Sequence, residues 1–175
     1  EATIELFKEA LKNTNNSHFA LVSGDSLPLQ SPERIYQKIS SLKSSHINCN
    51  GGFRARRYWR ISDKELIKPK FFTKHGQWII LTREAAEFFA KQTYFDAFKS
   101  MVASDEHYFG TIANLHNIKY IRSKHMYVKW PAAYARHPIC YKRVPSALIK
   151  DLQKQDFLFI RKIHHNASVP RKLLI

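Results

Sequence analysis

The sequence predicts an α/β fold, and three observations carry that prediction. Two apolar runs, His18-Phe19-Ala20-Leu21-Val22 and Trp78-Ile79-Ile80-Leu81, are short and continuous, the pattern of strands buried on both faces. Each is followed by a helix-start signature, Ser31-Pro32-Glu33 after the first and Thr82-Arg83-Glu84 directly after the second. Strand, polar loop and helix therefore alternate along the chain, the order from which layered α/β domains are built.

The elements follow in order. Ile4, Phe7, Ala10 and Leu11 share one face of a helix over residues 3–12, which Asn13 to Ser17 break. The strand over 18–22 runs into Ser23-Gly24-Asp25-Ser26-Leu27-Pro28, a loop by composition, where open α/β sheets bind ligands. Ser31 as N-cap with Pro32 in the first turn opens a helix to about Leu42. Between Ser44 and Lys70 periodicity is poor, and Gly51-Gly52 followed by Arg54-Ala55-Arg56-Arg57 predicts a long loop. Trp78–Leu81 is the second strand. Thr82 caps a helix from Arg83 to about Lys91, with Glu84 and Glu87 early and Lys91 late, matching the helix dipole. A helix over 105–116 takes Ser104 as its N-cap and sets Tyr108, Ile112 and Leu115 along one side. Tyr120-Ile121 and Met126-Tyr127-Val128 read as strands around a turn, residues 145–155 as a short helix, and Phe157-Leu158-Phe159-Ile160 as a last apolar segment. Without repeats or low-complexity tracts, a single domain over residues 1–175 is expected.

Composition narrows the function. A hydrophobic fraction of 44% excludes a disordered chain. No apolar run reaches the length of a bilayer span, and the first residues do not read as a signal peptide. Cys49 and Cys140 allow at most one disulfide and lean towards a reducing compartment. The net charge of +15 attracts polyanions: nucleic acid, acidic membranes, diphosphates or acidic glycans. That charge is spread along the chain with no nucleic-acid motif, so nucleic acid is not an expected partner. An Asp-x-Asp pair for a divalent ion is missing, and His164-His165 lacks the carboxylate or cysteine spacing of a zinc site, so no metal is expected. No Gly-rich phosphate loop or nucleophile elbow occurs.

Ser104-Asp105-Glu106 has two readings. It is either a helix cap with dipole-compensating acids, or a carboxylate fixed at a helix start as a base for a hydroxyl proton.

Five segments resemble one family. They are His18-Phe19-Ala20-Leu21-Val22-Ser23-Gly24-Asp25-Ser26-Leu27-Pro28-Leu29, Lys74-His75-Gly76-Gln77-Trp78-Ile79-Ile80-Leu81-Thr82-Arg83, Ser104-Asp105-Glu106-His107-Tyr108-Phe109-Gly110-Thr111-Ile112, Tyr127-Val128-Lys129-Trp130 with His137-Pro138, and Phe157-Leu158-Phe159-Ile160-Arg161-Lys162-Ile163. In that order they resemble the core-2/I-branching β-1,6-N-acetylglucosaminyltransferases and the related peptide-O-xylosyltransferases (glycosyltransferase family 14).

The resemblance implies a GT-A-type nucleotide-sugar-binding fold, a mixed sheet flanked by helices. It also implies an inverting, metal-independent transfer of GlcNAc or xylose from a UDP-sugar to a glycan hydroxyl. Glu106 matches the family's catalytic base. Lys162 matches the lysine that, with an arginine, replaces a metal at the donor diphosphate; Arg136 is the chosen arginine, with Arg161 and Arg143 as rivals. Fixed cations suit charge developing on a departing diphosphate. Asp25 and Ser23 fall on the donor side, Asp25 being open to a plain turn-forming role. Trp130, Trp78, Tyr58 and Asp105 are acceptor-side candidates, although beside Ile79 core packing is the stronger reading of Trp78; Arg54, Arg57 and Arg60 are further candidates for acceptor contact. The alternative is a non-catalytic glycan- or polyanion-binding domain on the same fold.

Two departures bear on this. The family domain carries a stretch before the first helix, with its first strands and much of the nucleoside pocket, so the chain is expected to be the C-terminal two-thirds of a family domain. Lys129 stands where the family has an acid. Few cysteines place the protein in the cytoplasm or at the cytoplasmic face of an anionic membrane, with the Golgi lumen as the alternative if a preceding segment carries an anchor.

Overall fold

The computed structural model describes residues 1–51, 54–132, 135 and 137–170. Its elements begin with α1 (Ala2–Leu11), β1 (His18–Ala20), β2 (Ser26–Pro28), α2 (Pro32–Ser40), β3 (Ser45–His46) and β4 (Cys49–Gly51). Next come α3 (Ala55–Tyr58), β5 (Lys74–His75), β6 (Ile80–Thr82), α4 (Arg83–Ala90) and α5 (Phe95–Phe98). A 3-10 turn (Ser104–Glu106) precedes α6 (Tyr108–Leu115), β7 (Tyr120–Ile121), β8 (Met126–Val128), β9 (Tyr141–Arg143), α7 (Ser146–Lys154), β10 (Phe159–Arg161) and β11 (Ile163–Ser168). The α/β expectation holds, with mixed sheets and helices on them.

The chain forms two compact units, one of residues 1–21 and 42–123, the other of 22–41 and 124–175. The first contains the sheet β1-β6-β3-β7, in which β6 runs antiparallel to β1 and β3, while β3 and β7 are parallel. A two-stranded ribbon, β4 with β5, completes it. Its core takes Ile4 and Phe7 from α1, Phe19, Ile79, Leu81, Phe89 from α4, and Phe109 and Ile112 from α6. Phe109 meets Phe7 and Phe89 edge-on, at 5.9 and 5.0 Å between ring centres. Each fully buried phenylalanine contributes roughly 1.5–3 kcal/mol.

The second unit holds the sheet β2-β10-β8, in which β10 is antiparallel to β2 and parallel to β8, and the pair β9–β11. Leu29, Val144, Ile149, Leu152 and Ile160 form its core.

Local capping signals translate directly. The Ser31 hydroxyl accepts from Arg34 N and Thr82 Oγ1 from Ala85 N, at the starts of α2 and α4. Four expectations are corrected. β1 is an edge strand with only Phe19 buried, because β6 alone flanks it. The loop after it contains β2, whose register pairs Ser26 with Arg161. The stretch after Ser44 is not one irregular loop but carries β3, β4 and α3. β7 and β8 do not pair around a turn, since each finds a parallel partner elsewhere, β3 and β10.

Candidate functional site

Glu106 sits on a turn of its own. Ala103 adopts the left-handed region at φ 55°, and the chain then closes a 3-10 turn, with Glu106 N donating to Ala103 O and His107 N to Ser104 O, both at 3.0 Å. Helix α6 begins after it, and no side chain caps that helix. The expected Ser104 cap is therefore wrong: Ser104 lies inside the 3-10 turn, too early to reach the amides of α6. Glu106 is set apart from the helix and forms an ion pair, Oε2 to Lys74 Nζ at 2.8 Å, with side chains 29% and 39% exposed.

Lys74 is on β5, and α6 is locked against that strand. A Cβ on Gly110 would lie 2.8 Å from Cys49 Sγ and 2.9 Å from Thr73 Cγ2, so only glycine permits this approach. Beside it Thr111 Oγ1 accepts from Thr73 N at 3.2 Å. The turn and its lysine are thus held by a rigid helix–strand contact.

Two buried imidazoles lie next to these charges. His75 follows Lys74 and is fully buried. Its Nδ1–H donates to Gly76 O at 2.7 Å, and Nε2 has no partner among the described residues. Burial pushes its pKa down to about 4. His107 follows Glu106, donates from Nδ1 to Ala103 O at 3.1 Å and stacks on Phe72. Burial lowers its pKa as well. Both are neutral at neutral pH, leaving Lys74 as the cation bonded to Glu106.

A second charged cluster lies within the other unit. The β2–β10 register brings the loop before β2 to the end of β10. Asp25 Oδ1 accepts from Arg161 Nε at 2.8 Å, and Oδ2 from Arg161 Nη2 and Lys162 Nζ, each at 3.4 Å. The Ser23 hydroxyl donates to the same carboxylate. Burial pushes Asp25 up, but hydrogen bonds from Arg161 and Ser23 and the nearby positive charge outweigh it and hold the carboxyl at about 2. Asp25, Ser23, Arg161 and Lys162 are thus brought together, with Asp25 as the counter-ion of both cations.

The remaining predicted residues divide. Arg136 lies outside the described residues. Arg143 ends β9, exposed, and Trp130 is 49% exposed. Trp78 is half-buried beside Ile79. Tyr58 is a correction: it is buried, with its hydroxyl donating to Ile67 O at 2.9 Å, and presents no face to a sugar. Asp105 lines a cleft of about 270 Å³ with Ser104, Ile4, Phe95, Phe98 and Tyr108. Arg54 and Arg60 are exposed, and Arg57 donates to Val102 O. Two residues escaped the sequence reading. Lys74 could have been found inside the Lys-His-Gly-Gln-Trp segment; the exposed Trp59 carries no local signal that distinguishes it from its buried neighbour Tyr58. Among the described residues no group of three or more His, Cys, Asp or Glu side chains is arranged to hold a metal ion.

No curated protein sequence matches the chain. A family model does, that of the core-2/I-branching enzymes (Branch), over residues 1–161. The match spans the strand–loop segment with Asp25, the Lys74 segment and the Ser104-Asp105-Glu106 turn, and ends one residue before Lys162. Glycosyltransfer, from a nucleotide sugar to a glycan, is the general chemistry this implies, and the chain belongs to the core-2/I-branching enzyme family.

Proposed function

We propose that the protein is an inverting glycosyltransferase that moves GlcNAc or xylose from a UDP-sugar to a glycan hydroxyl, with Glu106 as base and no metal ion. The observation that carries this reading is the Glu106 carboxylate, freed from capping duty and held by Lys74 at 2.8 Å. One oxygen bonded to an ammonium fixes the carboxylate while the other faces an incoming hydroxyl. As the acceptor oxygen attacks the anomeric carbon, its proton passes to Glu106. The bond from that carbon to the UDP oxygen breaks on the opposite face, and UDP leaves with the bonding pair.

Charge then builds on the diphosphate. Lys162 and Arg161 are the groups assigned to it, and fixed cations do this without reorganisation. Asp25, steadied by Ser23, keeps the two cations together until a stronger anion takes them. Contact with an anionic membrane, which the net charge of +15 supports, and a cytoplasmic setting, which rests on the two cysteines, remain parts of the proposal.

The test is direct. Glu106→Gln should abolish transfer while UDP-sugar affinity, read by calorimetry or thermal shift, stays within about twofold, because the base contacts the acceptor rather than the donor. Wild-type UDP-sugar binding should be indifferent to EDTA. Full activity of Glu106→Gln, or binding that collapses with EDTA, would sink this mechanism.

A further inference from the structure

The stretch between β4 and β5 divides its side chains between two faces. Tyr58, Ile61, Ile67 and Phe72 are buried in the core. Its charge points outward and is lopsided: residues 54–70 carry seven Lys and Arg against Asp63 and Glu65. On α1 and α4, by contrast, Lys8, Lys12 and Arg83 pair with acids of their own helices. Among the described residues, Arg54, Arg56 and Arg60 are exposed and have no acidic partner within ion-pair distance. Trp59, between Arg56 and Arg60 in the sequence, is 70% exposed. The Lys64 ammonium, held by Ile61 O at 2.9 Å, lies 5.7 Å from its ring centre.

This face is tied to the Glu106 turn in two ways. Arg57 Nη1 donates to Val102 O at 3.0 Å, and Val102 immediately precedes Ala103, where that turn starts. A ladder of rings also runs inward: Trp59 to Tyr58 at 6.4 Å, Tyr58 to Phe72 at 5.5 Å, Phe72 to His107 at 5.2 Å. His107 directly follows Glu106. The exposed indole is therefore braced through packed rings against the turn that carries the base.

Cations with one open indole fit one kind of occupant. Guanidinium groups pair with carboxylate, sulfate or phosphate oxygens, and an indole offers a flat apolar face to a sugar ring. A bilayer is a poorer fit, because anchoring takes an extended apolar face, whereas the large apolar side chains exposed here are Trp59, Val102 and, to a lesser degree, Leu66, set among seven cations. Single-stranded nucleic acid stacks successive bases on several rings, and this face exposes one.

We infer that Trp59, with Arg54, Arg56 and Arg60, binds an acidic oligosaccharide, the charged part of the glycan acceptor beyond its reacting hydroxyl. As an acceptor site this rests on the reading of Glu106 as base; as a binding site it stands separately. The experiment measures binding of a galacturonic acid tetrasaccharide, and of its carboxyl-reduced neutral counterpart, to Glu106→Gln protein by calorimetry at low and moderate salt. The acidic tetrasaccharide should bind at least about tenfold more tightly than the neutral one, the scale of a single binding hot spot, and should weaken as salt rises. The double variant Arg56→Gln/Arg60→Gln should remove that preference, and Trp59→Ala should weaken both tetrasaccharides by a similar factor, while UDP binding is retained in each. Equal affinity for both tetrasaccharides, or acidic binding untouched by either variant, overturns the inference. Trp59-dependent binding to phosphatidylglycerol vesicles or to DNA, with none to the tetrasaccharide, also overturns it. If tetrasaccharide binding holds but no UDP-sugar binds or reacts, the transferase reading falls and the acidic-glycan site stands.

Discussion

Acid should unfold this protein through His75. In the fold its Nδ1–H is committed to Gly76 O, and Nε2 lies buried without an acceptor. A proton placed there would create a charged donor with nothing to receive it. The pKa falls accordingly from 6.5 to about 4. Because the folded value is depressed, the unfolded chain binds the proton first. Stability is complete above about pH 6.5 and is lost progressively down to about pH 4, below which this residue removes no more. A depression of that size corresponds to about 3 kcal/mol, a large share of a typical folding free energy. His107, lowered in the same direction, adds to the loss. Urea unfolding of the wild type and of His75→Asn at several pH values between 7.5 and 4 checks this, since an asparagine amide can still donate to Gly76 O. The variant starts less stable, because part of a buried ring is gone, but its stability should fall about 3 kcal/mol less over the window. Parallel curves for the two proteins would refute the argument. So would a wild-type loss beginning only below pH 4, where the stabilisation from Asp25, held at about 2 in the fold, starts to be lost as the unfolded chain takes up its proton.

Further outcomes follow from the same geometry. Gly110→Ala should destabilise by about 1–3 kcal/mol in urea titrations, because Cys49 and Thr73, which the new methyl would strike, are themselves buried; the helix propensity it gains offsets only part of this. It should also lower transfer, since α6 carries the Glu106 turn. Asp25→Asn should tighten UDP binding several-fold in calorimetry, since the diphosphate no longer competes with a carboxylate for Arg161 and Lys162; weaker binding would mean that Asp25 chiefly orients the two cations.

Much was legible before any coordinates. The helix starts at Ser31 and Thr82 were readable because a cap is a bond across three residues. Glu106, Asp25 and Lys162 stand out as candidates for a different reason: each lies in a short segment whose residue order resembles the family's, and the family match spans the first two. Contiguous sequence also explains the failures. Whether Ser104 caps a helix or sits inside a 3-10 turn depends on one left-handed residue, Ala103, which no local pattern announces. Tyr58 and Trp59 are neighbours of similar chemistry, yet one is core and the other surface, because α3 turns one towards Phe72 and the other away.

What the sequence determined by itself, then, is the class of fold, the family and the net charge. Only the tertiary structure decided the partners of the charged side chains. Asp25 meets Arg161 across 136 residues because β2 pairs with β10 in one register, and Lys74 meets Glu106 because a glycine lets α6 press against β5. The physical reason is common to both. A charge acts through what lies within a few ångströms of it, and strand register and helix docking, set by the burial of distant apolar residues, decide what that is.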